Sequence, residues 1–397
     1  MPWTDAASIQ QLAPYTDFVC EYPPGAVTYM GMLRSVFDGL NGYVAAHHAL
    51  MVLFFAIGTV SLVWVRRTLL RHADSFFVMG TFGFTLAMLE FIAPFRFDAI
   101  PVALTGLAFF AMAKRAPNTA GILLGVAGAI KIWPAFVAPL LAAAIHRRSG
   151  WKPAVLVGLT SGGAFLAVHL VLLIYGTQVT DLFGYLTYMS DRPLQIEAGL
   201  TSIVVAVASV TGASIGSALD YGSINLVLNG QAIEPQGLLF IFLAVYAALV
   251  FYTWALARNW CDDQVPVELA KIGGLAVLSL MLLSPVLSTE YLLWMMPFVA
   301  LASMRQNPIP VIMFSIAVLS ARLSFDHLFA PSGSLPVGLF LSGVKNVALL
   351  AVGASLLFDV ARHQGVRPAL IDGLSVIHRK SSMFRHRSNR QGDTSGS

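Results

Sequence analysis

The sequence predicts an all-α polytopic integral membrane protein with about eleven transmembrane helices, and three observations support this prediction. The chain of 397 residues is 57% hydrophobic. Only 11% of the residues are charged, whereas soluble domains have about 25%. The mean hydropathy is +0.74, and the apolar segments are too many and too closely spaced for the core of a soluble protein.

The apolar segments that predict the helices follow one another through most of the chain, and several are short for a full crossing. They lie at about 45–65, 74–93, 99–114, 118–131, 133–146, 152–175, 237–258, 266–286, 290–304, 308–323 and 337–360. We therefore assign residues 45–360 to one transmembrane domain. Residues 1–44 form a first extracytoplasmic loop whose stretch 26–44 has helical spacing and is expected to lie in the membrane interface.

Two further segments lie outside the regular helices. In the long loop 176–236, the stretch TSIVVAVASV is too short to span and is expected to re-enter the membrane or lie flat. Residues 361–397 are polar and basic, which predicts a disordered cytoplasmic tail that contacts anionic membrane lipids.

Orientation follows from the distribution of lysine and arginine, because basic loops stay in the cytoplasm. With the N-terminus outside, every short basic loop and the basic tail fall inside. Most acidic residues then face outward, including Asp17, Glu21, Asp98, Glu197 and Glu290. The outer surface is therefore where a functional site is expected.

Seven basic residues lie away from the cytoplasmic loops. They are Arg34, Arg96, Lys131, Arg192, Lys271, Arg322 and Lys345. Lys271 is explained by snorkelling from the start of its helix. The others either form interhelical ion pairs with nearby acids or serve a site, and as a set they favour a site, because charges at membrane depth are unfavourable.

Three of these cations come from outer loops and suit phosphate. Lys131 precedes Pro134, which breaks the helix and presents the ammonium at a helix end. Arg96 lies two residues before Asp98, and the two could instead neutralise each other. Arg192 carries a guanidinium, the better fork for phosphate oxygens.

Polar neighbours of Arg192 suit a sugar. Gln195 and Glu197 follow it closely, and their side chains fit sugar hydroxyls. Together with the acidic first loop, the three cations predict a site that binds an anionic headgroup and removes a proton beside it.

Five motifs carry a family resemblance. In order they are PYTDFVCEYPPG, FRFDAIPVALTGLA, GILLGVAGAIKIWPA, DRPLQIEAG and LLSPVLSTEYLLWMMP. Their order and separation resemble the GT-C superfamily of membrane glycosyltransferases, specifically glycosyltransferase family 87, over about residues 14 to 300. The resemblance implies a polyprenyl-phosphate-linked sugar donor, a lipid or glycan acceptor at the outer leaflet of the bacterial plasma membrane, inversion, and a first-loop acid as general base.

Three acids are candidates for the base. Asp17 and Glu21 lie in the first motif, although either could cap a turn or pair with Arg34. Family members begin with a helix before this loop, and this chain starts inside the loop. Either the true start lies upstream, or the sequence is a shortened form, or Asp5 takes the place of the early acid.

The motif SPVLSTEYLLW differs from mannosyltransferase relatives, which tend to have histidine after the SP pair. Ser288, Thr289, Glu290 and Tyr291 stand here instead, so the resemblance does not imply mannose. Glu290 becomes a second candidate for proton transfer. We expect Asp98, Glu290 and Tyr291 to contact the sugar or the acceptor.

We expect no cofactor, no metal and no nucleic-acid partner. His47, His48 and His169 have no acid spaced to complete a ligand set, and Cys20 and Cys261 fall on opposite sides of the membrane. Two other functions remain open: a transporter or flippase of lipid-linked sugars, and a non-catalytic membrane protein of envelope assembly.

Overall fold

The structure is a computed structural model, and it describes residues 13–37, 39–69, 75–235, 237–303, 307–330 and 332–363. The candidate base Asp5 and the predicted tail beyond residue 363 lie outside the described residues.

The described chain is mostly helical. The helices are α1 (Pro24–Val36), α2 (Gly39–Leu69), α3 (Ser75–Met88), α4 (Ala99–Ala113), α5 (Pro117–Ile130), α6 (Val137–Ser149), α7 (Trp151–Leu170), α8 (Gly184–Ser190), α9 (Gly199–Thr211), α10 (Leu238–Leu256), α11 (Val265–Leu283), α12 (Leu292–Ala302), α13 (Ile309–Phe329) and α14 (Leu335–His363). Short 3₁₀ turns at Ala93–Phe95, Trp133–Phe136, Val171–Tyr175, Val179–Asp181, Ala257–Asn259, Asp262–Gln264 and Thr289–Tyr291 connect them.

Each predicted apolar segment contains a helix, which agrees with a polytopic membrane protein. Six helical segments of the described chain are long and apolar enough to cross a membrane. They are Gly39–Leu69, Trp151–Tyr175, Leu238–Asn259, Asp262–Leu283, Ile309–Phe329 and Leu335–Arg362. Several other apolar helices are shorter, so eleven crossings stay a prediction.

The centre of the fold is α12, a short helix in which every residue is buried. A helix that is apolar on all sides requires neighbours on all sides, and α3, α4, α11 and α13 supply them. Neighbouring α11 also carries a charged pair: Lys271 Nζ lies 2.7 Å from Glu268 Oε1. Lys271 is fully buried, so ion pairing explains this cation, and our expectation that it snorkels was wrong.

Arg66 connects α2 to the C-terminal end of α12. Its guanidinium is fully buried and donates to the carbonyl oxygens of Ala300 at 2.8 Å and Leu301 at 2.9 Å, and to that of Ser303. The last carbonyls of a helix have no partners within the helix. A cation also interacts favourably with the negative end of the helix dipole. Arg66 therefore caps the central helix.

The segment before α1 packs on the chain that follows α7. Thr16 Oγ1 donates to Asp181 Oδ2 at 2.8 Å, and Thr177 Oγ1 donates to the carbonyl of Pro14 at 3.1 Å. Cys20 is buried in a small apolar cluster with Val27, Leu172 and Leu182. These contacts fix residues 13–23 against the rest of the protein. Both cysteines are free thiols.

The loop 176–236 contains a small antiparallel sheet that the all-helical prediction omitted. Its strands are β1 (Ile215–Asp220), β2 (Ser223–Leu228) and β3 (Gln231–Ala232), in that order. The turns Tyr221-Gly222 and Asn229-Gly230 both have positive φ at each position, as two-residue hairpin turns require. The Asn-Gly pair is a strong hairpin signal in the sequence.

The strand β2 also holds the loop that carries Arg192. The backbone amide of Leu226 donates to the carbonyl of Leu194 at 2.8 Å, and the amide of Ile196 donates to the carbonyl of Ile224 at 3.0 Å. The hairpin and residues 194–196 therefore form one unit beside the end of α8.

The cap on α12 predicts a loss of stability in Arg66→Ala. The change leaves buried carbonyls without donors, each worth about 1–3 kcal/mol, so we expect the unfolding midpoint in detergent to fall by several degrees. Arg67→Ala, the exposed neighbour, is the control and should leave the midpoint unchanged. Equal midpoints for the two variants would contradict the cap.

Candidate functional site

Six charged residues from five separate segments meet where α4 begins and α5 ends; we name them the ion cluster. The ion cluster comprises Glu21, Arg96, Asp98, Lys131, Arg192 and Glu290. They come from the segment before α1, the turn before α4, the end of α5, the loop after α8 and the turn before α12. The structure thus brings together most of the predicted site residues.

Lys131 and Asp98 form the innermost pair. Lys131 directly follows α5, and its Nζ lies 3.2 Å from Asp98 Oδ1 and 3.4 Å from Oδ2. Asp98 is fully buried, and its Oδ1 also accepts a hydrogen bond of 2.5 Å from Trp294 Nε1. The Lys131 ammonium lies 4.9 Å from the ring centroid of Phe97 and 5.3 Å from that of Tyr291. This ammonium is therefore already paired and enclosed by aromatic rings.

Arg96 pairs with Glu290 rather than with Asp98. Arg96 Nε lies 3.5 Å from Glu290 Oε1, and Nη1 donates to Tyr22 Oη at 3.4 Å. The Glu290 carboxylate contributes most to raising the pKa of the Arg96 guanidinium; burial opposes the shift, and Tyr22, Asp98 and Glu21 add to it. The Arg96 side chain is 40% exposed, so a ligand has access to it.

Arg192 is held more loosely. Its Nη1 lies 3.9 Å from Glu21 Oε2, at the outer limit of an ion pair, and Nη2 donates to the carbonyl of Tyr221 at 3.3 Å. The Nε atom is buried and has no hydrogen-bond partner among the described residues. A buried donor without a partner is unfavourable by about 1–3 kcal/mol. Arg192 therefore retains capacity to bind an anion.

Glu21 and Asp17 occupy different surroundings. The Glu21 side chain is 36% exposed and faces Arg192. Asp17 is exposed, and its Oδ2 accepts a hydrogen bond of 2.6 Å from the backbone amide of Ala13 in its own turn. Of these two acids, only Glu21 contacts another charged residue of the ion cluster within the described residues.

Gln195 and Glu197 join the loop after α8 to the turn before α12. Gln195 Nε2 donates to Ser288 Oγ at 3.2 Å, and its Oε1 accepts from the backbone amide of Leu287 at 3.0 Å. Glu197 Oε1 accepts from Thr289 Oγ1 at 2.7 Å. Both side chains are buried. Their contacts position the turn that carries Glu290.

Lys345 of α14 contacts both the backbone and the side chain of Glu197. Its Nζ donates to the carbonyl of Glu197 at 2.9 Å and lies 3.9 Å from Oε1. Burial raises the pKa of the Glu197 carboxyl, whereas Lys345 and the Thr289 hydroxyl oppose that shift. The sequence marked Lys345 as a cation at membrane depth, but its partner became visible only in the structure.

Several contacts of the site had only weak signals in the sequence. Tyr22 and Trp294 lie inside the quoted motifs, but nothing in the sequence distinguishes them from packing residues. Thr289 stands where relatives tend to have histidine, but its contact with Glu197 was not predicted. Tyr291 was predicted, and its ring stacks on Trp294 at 3.9 Å between centroids. The Tyr291 and Trp294 rings lie beside the Lys131 ammonium, and aromatic rings also offer flat apolar surfaces to a ligand.

No group of three or more potential metal ligands occurs within the described residues. His47 Nδ1 lies 2.9 Å from Tyr29 Oη, and His169 Nε2 lies 3.2 Å from Tyr185 Oη. These two histidines therefore pair with tyrosines.

The fold and the site define a polytopic membrane protein with a charged site at one end of its helices. The sequence profile described as glycosyltransferase family 87 matches residues 19–285. The chain therefore belongs to glycosyltransferase family 87, and it is a membrane glycosyltransferase by family. A search of curated proteins gave no match.

Close packing of α1 on α5 predicts that Gly25→Ala disturbs the ion cluster. A Cβ at Gly25 would lie 2.7 Å from the carbonyl oxygen of Ala129, so α1 and the preceding Glu21 must move away from Lys131. We expect Gly25→Ala to lower the thermal midpoint. We also expect it to lower the rate of glycosyl transfer at least tenfold. Gly31→Ala is the control in the same helix.

At Gly31 no described atom lies within 4 Å of an added Cβ. Alanine in a helix interior is more stable than glycine by about 0.5–1 kcal/mol. Gly31→Ala should therefore keep full transfer and equal or higher stability. Full transfer by Gly25→Ala would show that this helix contact does not position the site.

Proposed function

We propose that this protein is a GT-C type glycosyltransferase that moves a sugar from a polyprenyl-phosphate donor to a lipid-linked or glycan acceptor. The observation that carries the proposal is the convergence of Arg96, Lys131 and Arg192 with the carboxylate of Glu21. A leaving phosphate needs cations, and an attacking hydroxyl needs a base. Family membership supports the same chemistry.

The donor phosphate is best assigned to Arg96 and Arg192. Arg96 is partly exposed, and Arg192 has a buried Nε without a partner among the described residues. Both guanidiniums hold their carboxylate partners at 3.5 Å or more, so phosphate oxygens can replace or join those partners. Lys131 is paired with Asp98 at 3.2 Å, so it adds positive charge to the site without binding the phosphate directly.

Glu21 is the general base in this proposal. Its carboxylate takes the proton from the acceptor hydroxyl while that oxygen bonds to the anomeric carbon of the donor sugar. The bond from this carbon to the phosphate oxygen breaks, and the electron pair leaves with the polyprenyl phosphate. Direct displacement at one carbon inverts its configuration and needs one base.

Glu290 and Tyr291 bind sugar in this proposal. Glu290 lies beside Arg96, and Tyr291 presents its ring beside Lys131. Gln195 and Glu197 position the turn that carries Glu290 and Tyr291. The bias of the basic loops supports a site facing outward from the bacterial plasma membrane and a cytoplasmic C-terminus.

Glu21→Gln tests the base. Glutamine keeps the shape and removes the basic carboxylate, so kcat should fall by about 10²- to 10⁴-fold. Asp17→Asn is the matched control in the same segment and should retain at least half of the activity. The measurement is release of polyprenyl phosphate in detergent from polyprenyl-phosphate mannose, glucose, galactose and arabinofuranose, each with octyl mannoside, glucoside, galactoside and arabinofuranoside as acceptors.

Transport cannot occur in detergent, so release of polyprenyl phosphate also separates a transferase from a flippase. Release by Glu21→Gln equal to wild type would remove Glu21 as the base. A wild-type protein that consumes none of the four donors, while binding them, would support a transporter or an assembly protein instead.

Arg192→Gln tests the phosphate assignment. Loss of the guanidinium should raise the donor KM by about 10- to 100-fold, because a charge-assisted hydrogen bond is worth about 1.5–3 kcal/mol, and change the acceptor KM by less than threefold. Arg34→Gln, which removes a cation of α1, is the control. Equal increases in both KM values for Arg192→Gln would indicate a structural role.

A further inference from the structure

The turn between β1 and β2 places a tyrosine where a smaller residue is expected. Tyr221 has φ of 52° and Gly222 has φ of 66°, the left-handed region that asparagine and glycine adopt most readily. The next turn of the same sheet has the same geometry and uses Asn229, with φ of 50°, and Gly230. The conformation of the turn therefore does not explain the tyrosine.

The backbone of Tyr221 contributes contacts that any residue would provide. Its carbonyl accepts hydrogen bonds from Tyr188 Oη at 3.1 Å and from Arg192 Nη2 at 3.3 Å. These bonds fix the turn next to the ion cluster. Because they use the main chain, they do not require the aromatic ring of Tyr221.

The rings of Tyr221 and Tyr188 form an aromatic pair beside Arg192. Their centroids are 5.5 Å apart at an angle of 58°, and both side chains are partly exposed. The Arg192 guanidinium lies 5.8 Å from the ring centroid of Tyr188. Arg192 Nη1 in turn lies 3.9 Å from Glu21 Oε2, so Arg192 connects the pair to the proposed base. Burial first, and then the Glu21 carboxylate, raise the pKa of Tyr188.

Such a pair has the chemistry of a carbohydrate subsite. One face of a sugar ring consists of C–H groups and packs against aromatic rings, while the hydroxyls at its rim bond to polar neighbours. Asp220 and the Tyr188 hydroxyl supply polar groups here. The donor phosphate, in contrast, is assigned to the guanidiniums of Arg96 and Arg192.

We propose that Tyr188 and Tyr221 form an acceptor subsite that stacks on a sugar ring of a glycan or glycolipid acceptor beside Glu21. The inference rests on the proposed transferase function and adds the binding surface for the second substrate. The hairpin β1–β2 then serves to carry this surface, because its backbone is bonded to residues 194–196.

Tyr221→Asn is the sharpest test, since asparagine suits the turn and removes the ring. Binding of octyl mannoside, glucoside, galactoside and arabinofuranoside is measured first, by saturation-transfer NMR on full-length protein in nanodiscs without donor. We expect wild type to bind at least one glycoside and Tyr221→Asn to bind it at least tenfold more weakly. Tyr221→Phe should bind within threefold of wild type.

Tyr175→Asn is the control, because Tyr175 is a 52% exposed tyrosine outside the pair. It should bind as wild type does. Thermal midpoints should stay unchanged in Tyr221→Asn, which excludes loss of fold as the cause. Unchanged binding by Tyr221→Asn, equal loss in Tyr221→Phe, or no binding of any glycoside by wild type would overturn the inference.

Donor consumption by the same samples separates the two proposals. If wild type releases polyprenyl phosphate and Tyr221→Asn alters neither glycoside binding nor acceptor KM, the subsite is wrong and the transferase stands. If wild type binds glycosides through this pair but consumes no donor, the proposed transferase function fails instead.

Discussion

The ion pair between Lys131 and the fully buried Asp98 is the interaction on which the site depends. Asp98 precedes α4, Lys131 ends α5, and Trp294 of α12 donates to the same carboxylate. Breaking such a pair by removing one partner costs about 3–5 kcal/mol, because the other charge stays buried. The pair therefore fixes three helices at the point where the ion cluster forms.

Around this fixed pair, the other charges are held with decreasing tightness. Arg96 and Glu290 are 3.5 Å apart, and Arg192 and Glu21 are 3.9 Å apart. Strong charge-assisted hydrogen bonds are about 2.7–2.9 Å long, so a charged ligand can replace the partners in these two longer pairs. The Lys131–Asp98 pair is therefore the rigid part of the site, and the pairs of Arg96 and Arg192 are the adaptable part. Gln195, Glu197 and the β1–β2 hairpin hold the loops that carry Arg192 and Glu290.

Hydropathy predicted the apolar helices, and the cations away from the cytoplasmic loops identified half of the ion cluster. The pairings were not predictable in this way. Arg96 and Asp98 are two residues apart in sequence, yet each pairs with a residue from another segment, because side-chain directions in the folded turn decide the partner. The sheet was also missed, although Asn229-Gly230 is a hairpin signal, since a membrane-like composition favoured helices throughout. Buried contacts such as the one between Lys345 and Glu197 were also not predictable, because they join residues that are far apart in the sequence.

In the proposed reaction, the ion cluster binds the phosphate of a polyprenyl carrier. A cryo-electron microscopy structure of the protein in nanodiscs with added polyprenyl phosphate, the expected leaving group, tests it directly. We expect phosphate oxygens within hydrogen-bond distance of Arg96 and Arg192, with Glu21 moved from Arg192 and Lys131 still paired to Asp98. Phosphate bound elsewhere, with the Arg96–Glu290 and Arg192–Glu21 pairs intact, would contradict it.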